Sequence, residues 1–375
     1  MTQTIEQVDT LASATLKHRL VERIKAEGPI TFCDWMQAAL YDPIGGYYVR
    51  SDRERWGREG DYRTSPERSE LFAATFARYF AKLYDELKRP AKFTIVEIGA
   101  GDGRFAAGVL LSLKDRFPEV FAATTYVIDE VSDNSRERAR QRTAVFGERT
   151  KFAALQDLPP INAGVVFTNE LVDAFAVHRL RKSQGELYEL YVCLDAQGEF
   201  DWCEGPLSTP RLAEFCRSYG IELLDGQTIE VCLAADAWLS QVVNSLATGY
   251  VLTVDYGAEQ RELFDPVTRK LGTLRAFQRH QFSENVLASP GDYDITSTVN
   301  WTQLQTAGER DGLETLALIG QDKFLLKAGL LEELALRLDD FPGDADKLRL
   351  STSAREMILP LGMSANFQVL IQKRS

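Results

Sequence analysis

Cysteine is scarce. The 375 residues hold five, Cys33, Cys193, Cys203, Cys216 and Cys232, and no two stand as C-x-x-C. An odd number without paired spacing excludes a zinc ribbon, a dithiol redox motif and a disulfide framework. These residues read as reduced, mostly buried thiols. Histidine is rarer still: His18, His178 and His280 lie far apart. A metal site built on them has no support, so no metal is expected. No apolar run approaches the ~18 residues that a bilayer requires. The first thirty residues carry several acids and no apolar stretch, unlike a secretory signal or an acid-poor transit peptide. Together these absences predict a soluble, cytoplasmic protein with no membrane partner. Positive charge is in deficit, with 43 Lys+Arg against 55 Asp+Glu and a net charge of −12. That argues against a nucleic-acid partner, because phosphate binding needs positive charge.

The length corresponds to two or three domains of about 150 residues, and four segments can be told apart. Residues 1–92 read as a helical cover. Leu16, Leu20, Val21 and Ile24 repeat at helical spacing, and Gly28-Pro29 ends that helix. Thr31 then stands as an N-cap before FCDWMQAAL, with Asp34 three places on. Ser65-Pro66-Glu67 reads as a further helix start. From residue 93 to 177 strands alternate with helices: FTIVEI, TTYVIDEV and AGVVFTNE are short buried strands, and SDNSRERARQR is a polar helix. The fold class expected is α/β, with a doubly wound, mostly parallel sheet. Residues 178–245 read as an insertion, whose first half alternates as an antiparallel meander with turns at Gln184-Gly185 and Gln197-Gly198. Residues 246–375 return to the sheet with GYVLTVDYG and end in FQVLIQ. Between these lies a long segment, LRAFQRHQFSENVLASPGDYDITSTVNW, with little periodicity. A loop of that length in a compact enzyme is usually functional.

VEIGAGDG is the most informative stretch. Glycines between a buried strand and a helix let the backbone approach a ligand, and the helix start supplies N–H donors. The dinucleotide fingerprint G-x-G-x-x-G is not met, because Arg104 stands at its sixth position. The form present is acid-x-G-x-G-x-G, carried by Glu97, Gly99, Ala100, Gly101 and Gly103. It suits S-adenosylmethionine, which has no pyrophosphate to dock on the helix. Asp129 and Glu130 end the next strand, where an acid would accept the ribose hydroxyls, and Gln156 and Asp157 are candidates for the adenine amino group. The fourth strand ends in Asn169 and Glu170, with Asp173 just beyond. Ligands in open α/β sheets sit beyond the carboxyl ends of strands. These three therefore become candidates for cofactor contact (Asn169) and for the methyl-transfer chamber. By local grammar alone the reading as an N-cap and first-turn acids comes first.

The chain resembles the mitochondrial complex I assembly methyltransferases and their bacterial homologues, the MidA-type proteins. The resemblance rests on GPITFCDWMQAALYDPIGGYY, GREGDYRTSPERSELF, VEIGAGDGRF, IDEVS, TNELVDAFAVHRL, VDYG and QDKFLLKAGL, which occur in the family's order. It implies a class I methyltransferase fold, S-adenosyl-L-methionine as cofactor and a helical N-terminal extension over the site. It also implies arginine ω-nitrogen methylation of a protein partner bearing an arginine segment. Three features depart from the family. Ala100 and Asp102 stand in the cofactor turn, Asp173-Ala174-Phe175-Ala176 lacks a proline, and Ala258 follows Asp-Tyr-Gly where a histidine is usual. Glu170 and Asp173 are the carboxylates expected to hold a guanidinium, with Asn169 orienting the chain. His178 and His280, inside family-like motifs, are candidate proton acceptors. A small-molecule O- or N-methyltransferase, and a non-enzymatic assembly protein with a retained cofactor site, are the competing expectations.

Overall fold

The computed structural model describes residues 2–50, 70–278, 281–283, 285–340, 343–359 and 367–375; side chains are described from Thr15 on, except those of Gln281 and Asp340. The expected helix start at Ser65 and the residues Tyr62 and Thr64 beside it lie outside the described residues. The chain divides into two compact units. One comprises Arg63–Leu171, Leu239–Gly257 and Gln305–Ser375; the other comprises Met1–Tyr62, Val172–Trp238 and Ala258–Leu304. These boundaries differ from the four consecutive segments read from the sequence.

The first is the sheet unit. Its strands are β1 (Phe93–Ile98), β2 (Thr124–Asp129), β3 (Thr150–Phe152), β4 (Gly164–Asn169), β5 (Gly249–Ala258), β6 (Glu314–Gly320) and β7 (Phe367–Arg374). They lie in the order β6-β7-β5-β4-β1-β2-β3. The pairs from β5 through β3 are parallel, and β7 runs antiparallel to both neighbours. The order reverses at β1 and β4, where Ile98 is level with Thr168. That is the switch point at which open α/β sheets take ligands. The expected α/β, mostly parallel sheet is therefore present.

The register at this point depends on packing. The helix Arg104–Arg116 follows the turn after β1, and its Phe105 stacks on Phe167 of β4 with centroids 4.4 Å apart and planes 13° from parallel. Phe76, on the helix Glu70–Glu86, meets the same Phe167 edge-on at 5.0 Å. All three rings are buried. Burial of each is worth about 1.5–3 kcal/mol, which fixes the start of the first helix against the sheet. The helix Asp133–Thr143 follows β2 and begins as its sequence suggests, with the Ser132 hydroxyl accepting the Ser135 N–H.

The second unit holds an antiparallel sheet. Its strands are Ile30–Thr31, Glu186–Leu194, His178–Ser183 and Thr228–Val231 in that order, with Phe200–Gly205 also paired to Glu186–Leu194. The turn between the two long strands falls at Gln184 and Gly185, both left-handed at φ 53° and 85°, as a tight hairpin demands. Residues 1–92 are not wholly helical, because Ile30–Thr31 is a short strand. Thr31 does cap the helix Phe32–Tyr41, its hydroxyl accepting the Asp34 N–H at 3.0 Å. The long segment of little periodicity contains three short strands, Arg275–Gln278, Gln281–Ser283 and Asp294–Thr296, paired antiparallel. Strands of three or four residues are too short to show a period of two. Among the described residues, no helix is long and apolar enough to cross a membrane.

Candidate functional site

The glycine turn leaves β1 at its carboxyl end. Gly99, Gly101 and Gly103 are all left-handed, at φ 74°, 56° and 77°. A side chain at Gly99 would press on Leu171, whose Cδ1 lies 3.0 Å from where the Cβ would be; at Gly103 it would meet the Ala139 Cβ at 2.7 Å. Backbone sign and space therefore both require glycine here. Ala100, between them, is buried. The Gly101 N–H donates to Glu130 Oε2 at 2.8 Å, and the Ser132 N–H donates to Oε1 at 2.7 Å. These bonds fix the Glu130 carboxylate at the end of β2, against the rim of the turn. Asp102 fills the position that departs from the family pattern. It is buried and paired with Arg104 Nε at 3.1 Å and Arg142 Nη2 at 2.9 Å. The Asp102 charge is thus met by Arg104 beside the turn and by Arg142 of the helix Asp133–Thr143.

Glu97 lies one level beneath, 5% exposed, and accepts a 2.7 Å hydrogen bond from the Tyr126 hydroxyl. Burial raises its carboxyl to about 8. The Tyr126 hydrogen bond opposes that rise, and the charges of Glu130 and Asp102 add to it. Tyr126 sits on β2 level with Ile95. Nothing in the sequence marked it as a site residue, although a buried tyrosine hydroxyl needs a partner. Asp129, expected beside Glu130 as a ribose acceptor, is instead bonded to the Leu155 N–H at 2.8 Å, and burial raises its carboxyl despite that bond. It anchors the short turn Leu155–Asp157, on which Gln156 and Asp157 are exposed.

At the end of β4 the Asn169 amide donates to Glu170 Oε1 at 3.0 Å. Its Oδ1 is shut off from water and accepts from no described residue. Glu170 is left-handed at φ 54°, a strained state for a non-glycine residue and one that clusters at functional sites. The conformation is pinned on both sides. The Glu170 N–H donates to the Val254 carbonyl at 2.9 Å, and the Leu171 N–H donates to Asp255 Oδ2 at 3.2 Å. Leu171 thereby closes over Gly99. The residues fit S-adenosyl-L-methionine: there is backbone without Cβ at the turn, an oriented carboxylate at the end of β2, and an orphaned acceptor at the end of β4.

The profile of a family described as "Putative S-adenosyl-L-methionine-dependent methyltransferase" matches residues 75–319. The chain belongs to this family. A Burkholderia thailandensis protein solved with S-adenosyl-homocysteine bound is 30% identical, with a TM-score of 0.86, covering 98% of this chain and 93% of that one. Protein arginine methyltransferase NDUFAF7, mitochondrial, from Rattus norvegicus is 26% identical over 86% of this chain and 76% of its own length. The Homo sapiens counterpart is 25% identical over 89% and 77%. The expected family, fold, cofactor and enzyme class stand: this is an S-adenosyl-L-methionine-dependent methyltransferase. The expected cytoplasmic location is corrected, because the rat and human relatives are mitochondrial proteins by name.

The methyltransferase does not gather all the residues read as site candidates into the sheet unit. Glu97, Gly99, Ala100, Gly101, Gly103, Asp129, Glu130, Gln156, Asp157, Asn169 and Glu170 belong to it, whereas Asp173 and His178 belong to the second unit. There Asp173 is buried, and its main-chain carbonyl accepts the Ser297 N–H at 2.9 Å. His178 Nδ1 lies 2.7 Å from Glu189 Oε1. Burial would lower the imidazole, but hydrogen bonding to Cys33 and Glu189 outweighs it and raises the group to about 9. An imidazole raised that far does not suit the proton-acceptor role expected of His178. His280 lies outside the described residues, and His18 is exposed on the helix Thr2–Glu27. Among the described residues, no group of three or more His, Cys, Asp or Glu could hold a metal ion.

Proposed function

We propose that this methyltransferase acts on an arginine side chain of a protein. The observation that carries the reading is the alignment, over most of the chain, with relatives named protein arginine methyltransferase. Glu170 supports it chemically: a carboxylate at the switch point can hold a planar guanidinium by paired N–H bonds and take up the proton that nitrogen loses. When bound, S-adenosyl-L-methionine supplies a methyl group on a positively charged sulfur, so transfer requires alignment, exclusion of water and removal of one proton. In this reading Gly99, Ala100, Gly101 and Gly103 let the backbone come close to the cofactor, and Glu130 accepts its ribose hydroxyls. Gln156 or Asp157 meets the adenine amino group, and Asn169 Oδ1 accepts an N–H of the cofactor. A complex I subunit is the acceptor that the family resemblance suggests.

The test is incubation of the protein with cofactor labelled in its methyl group and a whole-cell protein extract, followed by hydrolysis of the labelled protein. Label in methylarginine of one protein supports the reading. Label confined to small molecules, or to another amino acid, rejects it. Glu170→Gln that retains cofactor binding is expected to lose at least about tenfold in turnover, and full turnover would remove Glu170 from the role.

A further inference from the structure

We propose that Asp255 is a positioning residue: it holds the left-handed Glu170 backbone and, through Leu171, keeps the glycine turn in the form that takes the cofactor. The proposal rests on the glycine turn as the cofactor site, and not on the identity of the methyl acceptor. Every group in it belongs to the sheet unit. On one side β5 is held by β7, with Asp255 opposite Gln368 in the antiparallel ladder. On the other side its parallel pairing with β4 ends at Val254 and Asn169. One residue further, the Asp255 side chain takes over from the ladder. Asp255 is fully buried. Its Oδ2 accepts the Leu171 N–H at 3.2 Å, and its Oδ1 accepts the Tyr256 N–H at 2.8 Å. A carboxylate binds such N–H groups more strongly than a neutral acceptor does.

What the acid stabilises is a costly backbone. Glu170, at φ 54°, occupies a region that side chains disfavour, and such a state persists only where its surroundings impose it. Two N–H bonds do so here. That of Glu170 goes to the main-chain carbonyl of Val254, so only the bond from Leu171 to Asp255 depends on a side chain. Leu171 is also the residue packed at the cofactor turn, its Cδ1 3.0 Å from where a Gly99 Cβ would stand. Relaxation at Glu170 would draw Leu171 off that turn. When the binding-competent form of a protein is only partly populated, apparent affinity falls by the populated fraction. Asp255 therefore acts on cofactor binding through Leu171 and the turn, from the end of a neighbouring strand.

The test is calorimetric titration of S-adenosyl-L-methionine into the native chain and into Asp255→Ala and Asp255→Asn, each checked for folding by circular dichroism. Asp255→Ala is expected to bind at least about fivefold more weakly. Asp255→Asn, which keeps one acceptor oxygen, is expected to fall between it and the native chain. Glycine adopts the left-handed conformation without cost, so in a Glu170→Gly background Asp255→Ala should change affinity by at most about twofold. A carboxylate that merely stabilised the fold would lower resistance to urea and leave the affinity of the folded variant unchanged. Native affinity in both folded Asp255 variants overturns the proposal, and so does a fivefold loss that persists with glycine at position 170. Gly103→Ala, whose Cβ would meet that of Ala139 at 2.7 Å, reports on the turn itself and should also bind weakly. Loss of affinity there with native affinity in Asp255→Ala faults Asp255 alone; native affinity in both faults the turn as the cofactor site.

Discussion

Two glutamates, one in each unit, are almost equally shut away from water, Glu97 at 5% and Glu189 at 0% exposure, yet their acidities move in opposite directions. Burial raises the Glu97 carboxyl to about 8, and the hydroxyl of Tyr126 only partly offsets that. Glu189 meets the same burial, but the hydrogen bond and charge of His178 and the N–H of Ser208 bring its carboxyl below the ordinary value. A neutral partner leaves a buried acid able to discharge itself by taking a proton; a cationic partner holds it ionised. The degree of burial sets the penalty, and the partner decides how it is met. In the sheet unit the result is a carboxyl under the cofactor turn that is largely neutral at pH 7. In the second unit it is a buried ion pair.

The largest expected effect comes from removing each partner in turn. His178→Leu leaves the Glu189 charge buried and uncompensated and should cost about 3–5 kcal/mol, read from urea unfolding. Tyr126→Phe should cost only about 0.5–1.5 kcal/mol, because Glu97 can remain neutral. Equal losses would erase the contrast. The contrast changes sign when the acids themselves are neutralised. Glu97→Gln mimics the protonated form and should raise stability at pH 7, because it removes the proton uptake that folding requires of Glu97 there, whereas Glu189→Gln should cost about 2–3 kcal/mol.

The same contrast shows in pH dependence. The raised Glu97 carboxyl contributes stability that is complete below its ordinary value near 4.5 and is lost as pH rises through about 8. The raised His178 contributes stability that is complete below 6.5 and is lost through about 9. Glu189 does the reverse: its contribution is present above its ordinary value and lost as pH falls below it. Stability should therefore decline from about pH 4.5 to 9, by at most about 1.4 kcal/mol per pH unit from each group within its own window. Glu97→Gln should remove its share of the slope between pH 4.5 and 8 and keep the share of His178 between 6.5 and 9. A variant with an unaltered slope across pH 5–8 would show that Glu97 is not raised.

What was legible in the sequence is what depends on neighbours along the chain. The Thr31 and Ser132 caps, the Gln184-Gly185 turn and the glycine run after β1 are local, and each stands where its residues indicate. The acid at the end of β2 was legible as a pair, but its division of labour was not. Glu130 holds the turn and Asp129 holds Leu155, which only the folded backbone decides. Tyr126 under Glu97 and Leu171 over Gly99 are meetings of residues 29 and 72 positions apart, set by strand register and helix packing. No periodicity carries that information. Among the departures from the family pattern, Asp102 in the cofactor turn is tied to Arg104 and Arg142, partners that its place in the sequence does not reveal.

The central claim is that S-adenosyl-L-methionine binds at the glycine turn, with Glu130 as its ribose acceptor. Calorimetric titration of the cofactor into the native chain and into Glu130→Ala tests it most directly. The native chain should bind one equivalent, and the variant, folded by circular dichroism, should bind at least about tenfold more weakly, as loss of hydrogen bonds to a charged group requires. Equal affinity in the two proteins, or no binding by the native chain, would contradict the account.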